Sequence, residues 1–221
     1  MKIGVLDIQG SVAEHVSALK KCGAEVVLVK TVGDLRECSG LIIPGGESTT
    51  IGKLLKRFGL FEEIIRRAEK GMAVWGTCAG AILLAKKIIG QKRGHVVDNL
   101  NLMDITVSRN AYGRQLDSFE TEIEFDFGKK DSRVRGNDRG GENDNVKKIP
   151  AVFIRAPKIF SVGSAAKVLA RCEEEIVAVR EGNLLATTFH PEMTDDLKVH
   201  EYFIGMGGEG GVLFVHAFLT N

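Results

Sequence analysis

Gly76-Thr77-Cys78-Ala79-Gly80 sets one cysteine between two glycines where the apolar run 72–75 gives way to a helical pattern. This is the form of a nucleophile elbow: the glycines remove Cβ atoms that would clash in so sharp a turn, and the middle side chain projects into a cleft at a helix N-terminus. There the helix dipole and nearby backbone N–H groups favour a thiolate. The same five residues also suit a small buried cysteine in a tight βα turn, and the pattern is too short to decide alone. Phe189-His190-Pro191-Glu192 supplies what a thiol nucleophile lacks. Such a nucleophile needs a base to take its proton and return it to the leaving group, and the base needs an acceptor to hold its tautomer. In an extended chain His190 and Glu192 point the same way, with Pro191 stiffening the step between them. Cys78, His190 and Glu192 are therefore expected to form a catalytic triad. An oxyanion hole is expected from the backbone N–H of Ala79 and a second N–H in Pro44-Gly45-Gly46-Glu47-Ser48, at Gly46, where two glycines let the backbone approach a ligand closely. Pro-Gly-Gly can equally be a plain turn.

The elements that must position these groups read as an α/β chain. The run 2–8 is a short apolar strand, Val12, Val16, Leu19 and Cys22 fall at helical spacing, and 25–30 reads as a second strand. Such βαβ units feed a parallel sheet. The pattern continues with a strand at 40–46, helices over 49–57 and 60–70, a strand at 72–75 and a helix over 79–88. Ligands in doubly wound sheets bind at the carboxyl ends of the strands, here marked by the loops around Gln9-Gly10, Gly45-Gly46 and Cys78. The second half reads as strands over 102–110, 119–127, 151–160, 166–173, 175–182 and 184–192, partly antiparallel, then a closing helix over 195–204. Expected overall is one three-layer domain over residues 1–221, with a mixed, mainly parallel sheet. The segment 128–148 holds only two aliphatic residues, Val134 and Val146, and reads as a mobile surface insertion. Its seven basic residues against four acidic ones have no interleaved aromatic and read as a solvated loop.

Composition narrows the partners. With 30 Lys+Arg against 29 Asp+Glu, there is no overall electrostatic case for nucleic acid or an anionic membrane surface. No apolar run reaches the roughly 18–20 residues needed to cross a bilayer, and the N-terminus meets an acidic residue and two glycines too soon for a signal peptide. A cytoplasmic chain is expected. Cys22, Cys38, Cys78 and Cys172 include no CxxC pair, so no zinc site or disulfide framework is expected.

The strings "GTCAG", "PGGES", "FHPE" and "QG" at 9–10 together resemble the class I (triad) glutamine amidotransferases. "PGGESTT" (44–50), "SRNAYGRQLDSFE" (108–120), "VFIRAP" (152–157) and "FHPEMTDDLKVHEYF" (189–203) resemble, more specifically, the glutaminase subunits of pyridoxal 5′-phosphate synthases. The resemblance implies a flavodoxin-like fold in which Cys78 attacks the side-chain amide of L-glutamine, His190 serves as base and acid, and Glu192 orients it. It places glutamine binding on Gly46, Glu47, Ser48, Arg109, Ile154 and Arg155, and sets Gln9 and Gly10 near the oxyanion site and the synthase contact. It implies a (β/α)8 synthase subunit as partner, receiving ammonia through a tunnel, with no cofactor or metal on the glutaminase itself. The insertion 128–148 and the Gly-rich tail 205–221 depart from the family pattern, and the tail puts the last helix in doubt. Two other readings stay open: a glutaminase for a different acceptor synthase or a cysteine hydrolase of related fold, and a non-catalytic binding module of the same fold.

Overall fold

The computed structural model describes residues 1–91, 96–109, 118–128 and 145–216, with side chains through residue 207. Its first half alternates strands and helices: β1 (Lys2–Leu6), α1 (Val12–Lys21), β2 (Glu25–Val29), α2 (Val32–Arg36), β3 (Gly40–Ile43), α3 (Ser48–Arg57), α4 (Leu60–Glu69), β4 (Ala73–Thr77) and α5 (Ala79–Leu84). The second half is mostly strands: β5 (Ala85–Ile89), β6 (Met103–Ser108), β7 (Phe119–Asp126), β8 (Val146–Phe153), β9 (Lys158–Val162), β10 (Lys167–Cys172), β11 (Glu175–Glu181) and β12 (Leu184–Thr187). A 3₁₀ turn (Pro191–Met193) and α6 (Lys198–His216) follow.

The strand order is β2-β1-β3-β4-β12-β11-β10-β7-β8. From β2 through β12 every pairing is parallel, and from β12 outward it is antiparallel. The parallel strands are apolar on both faces because helices cover both. Ile3, Val5, Ile42 and Trp75 pack with Leu19 of α1 and Phe203 of α6. Leu6, Leu41, Ile43 and Val74 pack on the opposite face with Leu55 of α3 and Ile64 of α4. This gives the three layers, and burying each such side chain contributes about 1.5–3 kcal/mol. In the antiparallel part β7 alternates instead, with Ile123 and Phe125 buried and Glu122 and Glu124 exposed. Among the described residues no helix is long and apolar enough to cross a membrane.

Several boundaries differ from expectation for identifiable reasons. The helix expected over 79–88 stops at Leu84, because the N–H groups of Leu100 and Leu102 take the carbonyls of Leu83 and Leu84 at 2.7 and 3.0 Å. The chain then continues as β5, paired with β6. The strand expected over 151–160 is broken into β8 and β9 by a turn in which Arg155 has φ +46°, just before Pro157. The closing helix runs past the glycines that put it in doubt, its backbone staying helical to His216. A helix not anticipated, α2, is set by a capping box in which Thr31 and Asp34 satisfy each other's backbone N–H groups. Of the expected insertion, residues 129–144 lie outside the described residues. Its last part, from Val146, belongs to β8.

Candidate active site

The carboxyl ends of β1, β3 and β4 bring three loops to one rim. At the end of β4, Cys78 has φ +48° and ψ −101°, a conformation that strains any residue with a Cβ. The turn is held by Cys78 N–H donating to Thr187 O of the neighbouring strand at 2.8 Å. Its glycines are required by close approach: a Cβ on Gly76 would overlap the backbone of Gly80, and one on Gly80 would overlap the carbonyl of Ile43. Cys78 is the N-cap of α5 and 8% exposed, so the residue sits nearly buried at the helix's positive end.

His190 follows β12 and is fixed through its backbone N–H to Val152 O at 2.8 Å. The chain here is not extended as expected. Proline's φ suits the first position of a helical turn, and Pro191–Met193 forms one, with Met193 N–H donating to His190 O at 3.2 Å. The turn still brings Glu192 Oε1 to 2.7 Å from His190 Nδ1, and Ser11 Oγ–H donates to the same oxygen at 2.8 Å. Gly45 joins this group to the elbow: a Cβ there would stand 2.5 Å from His190 Cε1 and 3.5 Å from Cys78 Cβ. Burial acts against charge on His190, but the Cys78 sulfur and the Glu192 carboxylate overrule it and push its pKa up to about 10. Burial would likewise raise Glu192, yet the imidazoles of His15 and His190 bring it down to about 2. The arrangement sets the Cys78 sulfur beside an imidazole whose Nδ1 is tied to a carboxylate, the parts of a nucleophile–base pair.

The expected substrate positions form a second group. Glu47 caps α3, its carboxylate accepting the N–H groups of Thr49 and Thr50 at 3.1 and 2.7 Å and the Thr50 hydroxyl at 2.7 Å. Although burial opposes it, these donors bring Glu47 down to about 2. Arg109 Nη2 donates to Glu47 Oε1 at 3.0 Å, so two expected glutamine-binding residues are paired with each other. Gln9 Oε1 accepts Glu47 N–H at 2.9 Å and stands 2.4 Å from where a Cβ on Gly46 would be. Gly10, at φ +115°, packs on Gly45 O, which accepts Ser11 N–H at 3.2 Å. Ser48 is buried beside this loop. Ile154 belongs with the elbow, its carbonyl 3.9 Å from Cys78 Sγ. Ala79 follows Cys78 at the first position of α5, where a backbone N–H has no partner within the helix. Arg155 stands exposed at the β8–β9 turn.

Sequence reasoning missed Ser11, His15, Thr77 and His200. His15 Nε2 lies 3.5 Å from Glu192 Oε2 and 3.2 Å from Thr77 Oγ1, and His15 Nδ1 lies 3.1 Å from His200 Nε2. The signal was present: positions 12, 15, 16 and 19 share one face of α1, so a histidine interrupts an otherwise apolar stripe.

A family model described as "SNO glutamine amidotransferase family" matches residues 5–208. The chain is 50% identical over 206 residues to the pyridoxal 5′-phosphate synthase subunit PdxT of Niallia circulans, covering 93% of this chain and 97% of that one. It is 51% identical over 207 residues to the subunit of the same name from Dehalococcoides mccartyi, again covering 93% and 97%. Among solved structures, one described as a glutamine amidotransferase superposes with a TM-score of 0.79 at 41% identity, covering 93% of this chain and 98% of that chain.

Proposed function

Because the chain belongs to the SNO glutamine amidotransferase family, we propose that it is the glutaminase subunit of a pyridoxal 5′-phosphate synthase, releasing ammonia from L-glutamine for a synthase subunit. The observation that carries the catalytic assignment is the strained Cys78 turn set against a His190–Glu192 pair joined at 2.7 Å.

The reaction follows from these groups. The Cys78 sulfur attacks the side-chain amide carbon of glutamine, forming a C–S bond as the carbonyl π electrons move onto oxygen. Backbone N–H groups at Ala79 and Gly46 are the donors assigned to that oxyanion. Collapse breaks the C–N bond, and the proton held on His190 goes to the leaving nitrogen, giving ammonia and a glutamyl thioester. His190 then takes a proton from water, whose oxygen attacks the thioester. The second tetrahedral species expels the sulfur, leaving glutamate and a restored pair. Glu192, ionised throughout, keeps the Nδ1 proton in place so that the other ring nitrogen faces the reaction. Free ammonia protonates in water, which favours a shielded passage to a docked partner. Glu47, Arg109, Ser48, Ile154 and Arg155 are assigned to the glutamine backbone and side chain, with Gln9 and Gly10 at the partner-facing loop.

The test is glutamate release measured with and without a pyridoxal 5′-phosphate synthase subunit. Wild type with that subunit should hydrolyse glutamine, and Cys78→Ser should not, while remaining folded and still binding the partner. A wild-type complex that releases no glutamate overturns the reading. Hydrolysis stimulated only by a different acceptor synthase redirects it to that synthase.

A further inference from the structure

Below Glu192 lies a polar array that the reaction above does not use. His15 on α1 and His200 on α6 are both fully buried, their rings meeting that of Trp75 at 5.4 and 5.0 Å in edge-on geometry. Glu192 Oε1 receives two donors, from Ser11 and His190, whereas Glu192 Oε2 is buried without a hydrogen-bond partner and faces His15 Nε2 at 3.5 Å. His200 Nδ1 is likewise buried without a partner.

These facts choose the tautomers. A proton on His15 Nδ1 would donate to His200 Nε2 and force the His200 proton onto Nδ1, leaving a buried N–H unmet. It would also aim the lone pair of His15 Nε2 at a carboxylate oxygen. In the opposite arrangement His200 Nε2–H donates to His15 Nδ1, and His15 Nε2–H points between Thr77 Oγ1 and Glu192 Oε2. Only a lone pair on His200 is then dry, the cheaper deficit. The titratable groups facing His15 are Glu192, His190 and His200, with Glu14 beside it on α1. Burial lowers the pKa of His15 and carries that of His200 down to about 3, so both rings are neutral near pH 7.

We propose that His15, oriented by His200, is a positioning residue for the triad, its Nε2–H pinning the free oxygen of Glu192 so that the other oxygen stays on His190 Nδ1. A carboxylate held at one oxygen only can swivel about its terminal bond, and His190 would lose its alignment with it. The proposal rests on the glutaminase reading above, and its test separates the two.

His15→Leu removes the donor. His15→Asn keeps an amide that can reach His200 but not Glu192, and His15→Gln carries an amide to the Nε2 position. Glutamine hydrolysis is measured in the complex with the synthase subunit. The low-field proton resonance of an imidazole N–H bound to a carboxylate is recorded on the folded chain, and thermal melts establish folding. His15→Leu and His15→Asn should lower kcat about tenfold to a hundredfold, with KM for glutamine changed by less than about twofold, and should lose or shift the His190 resonance. Their acid limb of kcat/KM should move to higher pH, because Glu192 loses a donor to its ionised form. His15→Gln should restore most of the rate and the resonance. A folded His15→Leu or His15→Asn with wild-type kcat and resonance overturns the proposal, as does a Gln variant no better than Asn. If His15→Leu does not fold, the Asn and Gln pair carries the same comparison. If the wild-type complex is inactive, the glutaminase reading fails, and the resonance alone then decides whether His15 holds Glu192.

Discussion

Glu192 is buried, charged and answers for the orientation of His190, which makes it the residue whose chemistry can be read most directly from pH. Its folded pKa of about 2 lies below the ordinary 4.5, so folding favours the ionised form. That stabilisation is complete above pH 4.5 and drains as pH falls toward 2. His190 moves the opposite way, from 6.5 to about 10, so its contribution is complete below pH 6.5 and is lost as pH climbs through 10. Chemical denaturation across pH should therefore show Glu192→Gln losing the first contribution and the part of the second that Glu192 supplies: its deficit against wild type is largest between about pH 4.5 and 6.5 and narrows at either extreme. Steady-state assays should show kcat down by about 10³–10⁴, because an amide can present its N–H₂ to His190 and select the wrong tautomer. Cys78 stores a different quantity. At φ +48° only glycine is at ease, and such strain costs on the order of 1–3 kcal/mol. Cys78→Gly should accordingly unfold at higher urea than Cys78→Ala, by about 1 kcal/mol, although both lack the proposed nucleophile; equal midpoints would mean the turn is not strained.

At the scale of elements, the elbow is a place where strand and helix touch backbone to backbone. A methyl on Gly80 meets the carbonyl of Ile43, which belongs to β3 and cannot swing aside. Gly80→Ala should cost about 1–3 kcal/mol in urea denaturation. Gly205, exposed in α6 with nothing within 4 Å of a added Cβ, gives the contrasting case, and Gly205→Ala should gain about 0.4–1 kcal/mol. This pair also marks what was legible. The Gly-x-Cys-x-Gly spacing announced a turn that only glycine permits, and the strand-helix alternation through residue 84, apart from the short α2, was plain in apolar periodicity. The end of α5 was not, because Leu83 and Leu84 continue a helical pattern and their carbonyls are claimed by residues 100 and 102, a tertiary event with no local mark. The glycines of α6 misled in the other direction, since a helix packed through Val199, Phe203 and Met206 keeps its backbone helical despite them.

Across the whole molecule, the candidate site was legible wherever one loop carried its own chemistry: Cys78, the Gly45-Gly46 turn and the His190–Glu192 pair are each local strings. What escaped was assembly between distant segments. Ser11 at the N-cap of α1, His15 on α1, Thr77 on β4 and His200 on α6 converge only because α1 and α6 cover the same face of the sheet. Trp75 sits at that convergence, its Nε1–H donating to Thr187 Oγ1 at 3.1 Å and its ring against both histidines. It therefore reports on the parallel half of the sheet, while far-ultraviolet circular dichroism reports on both halves. The two halves share β12, paired with β4 on one side and β11 on the other, and one apolar cluster runs from Trp75 and Phe203 to Phe125 and Phe153. A core continuous across the junction leaves neither half a surface on which to stop unfolding. We therefore expect a single domain, with urea curves from Trp75 fluorescence and from circular dichroism coinciding in midpoint and slope. A fluorescence transition displaced from the dichroism transition would mean instead that the antiparallel strands unfold as a separate unit, and that the buried polar array is held by the parallel half alone.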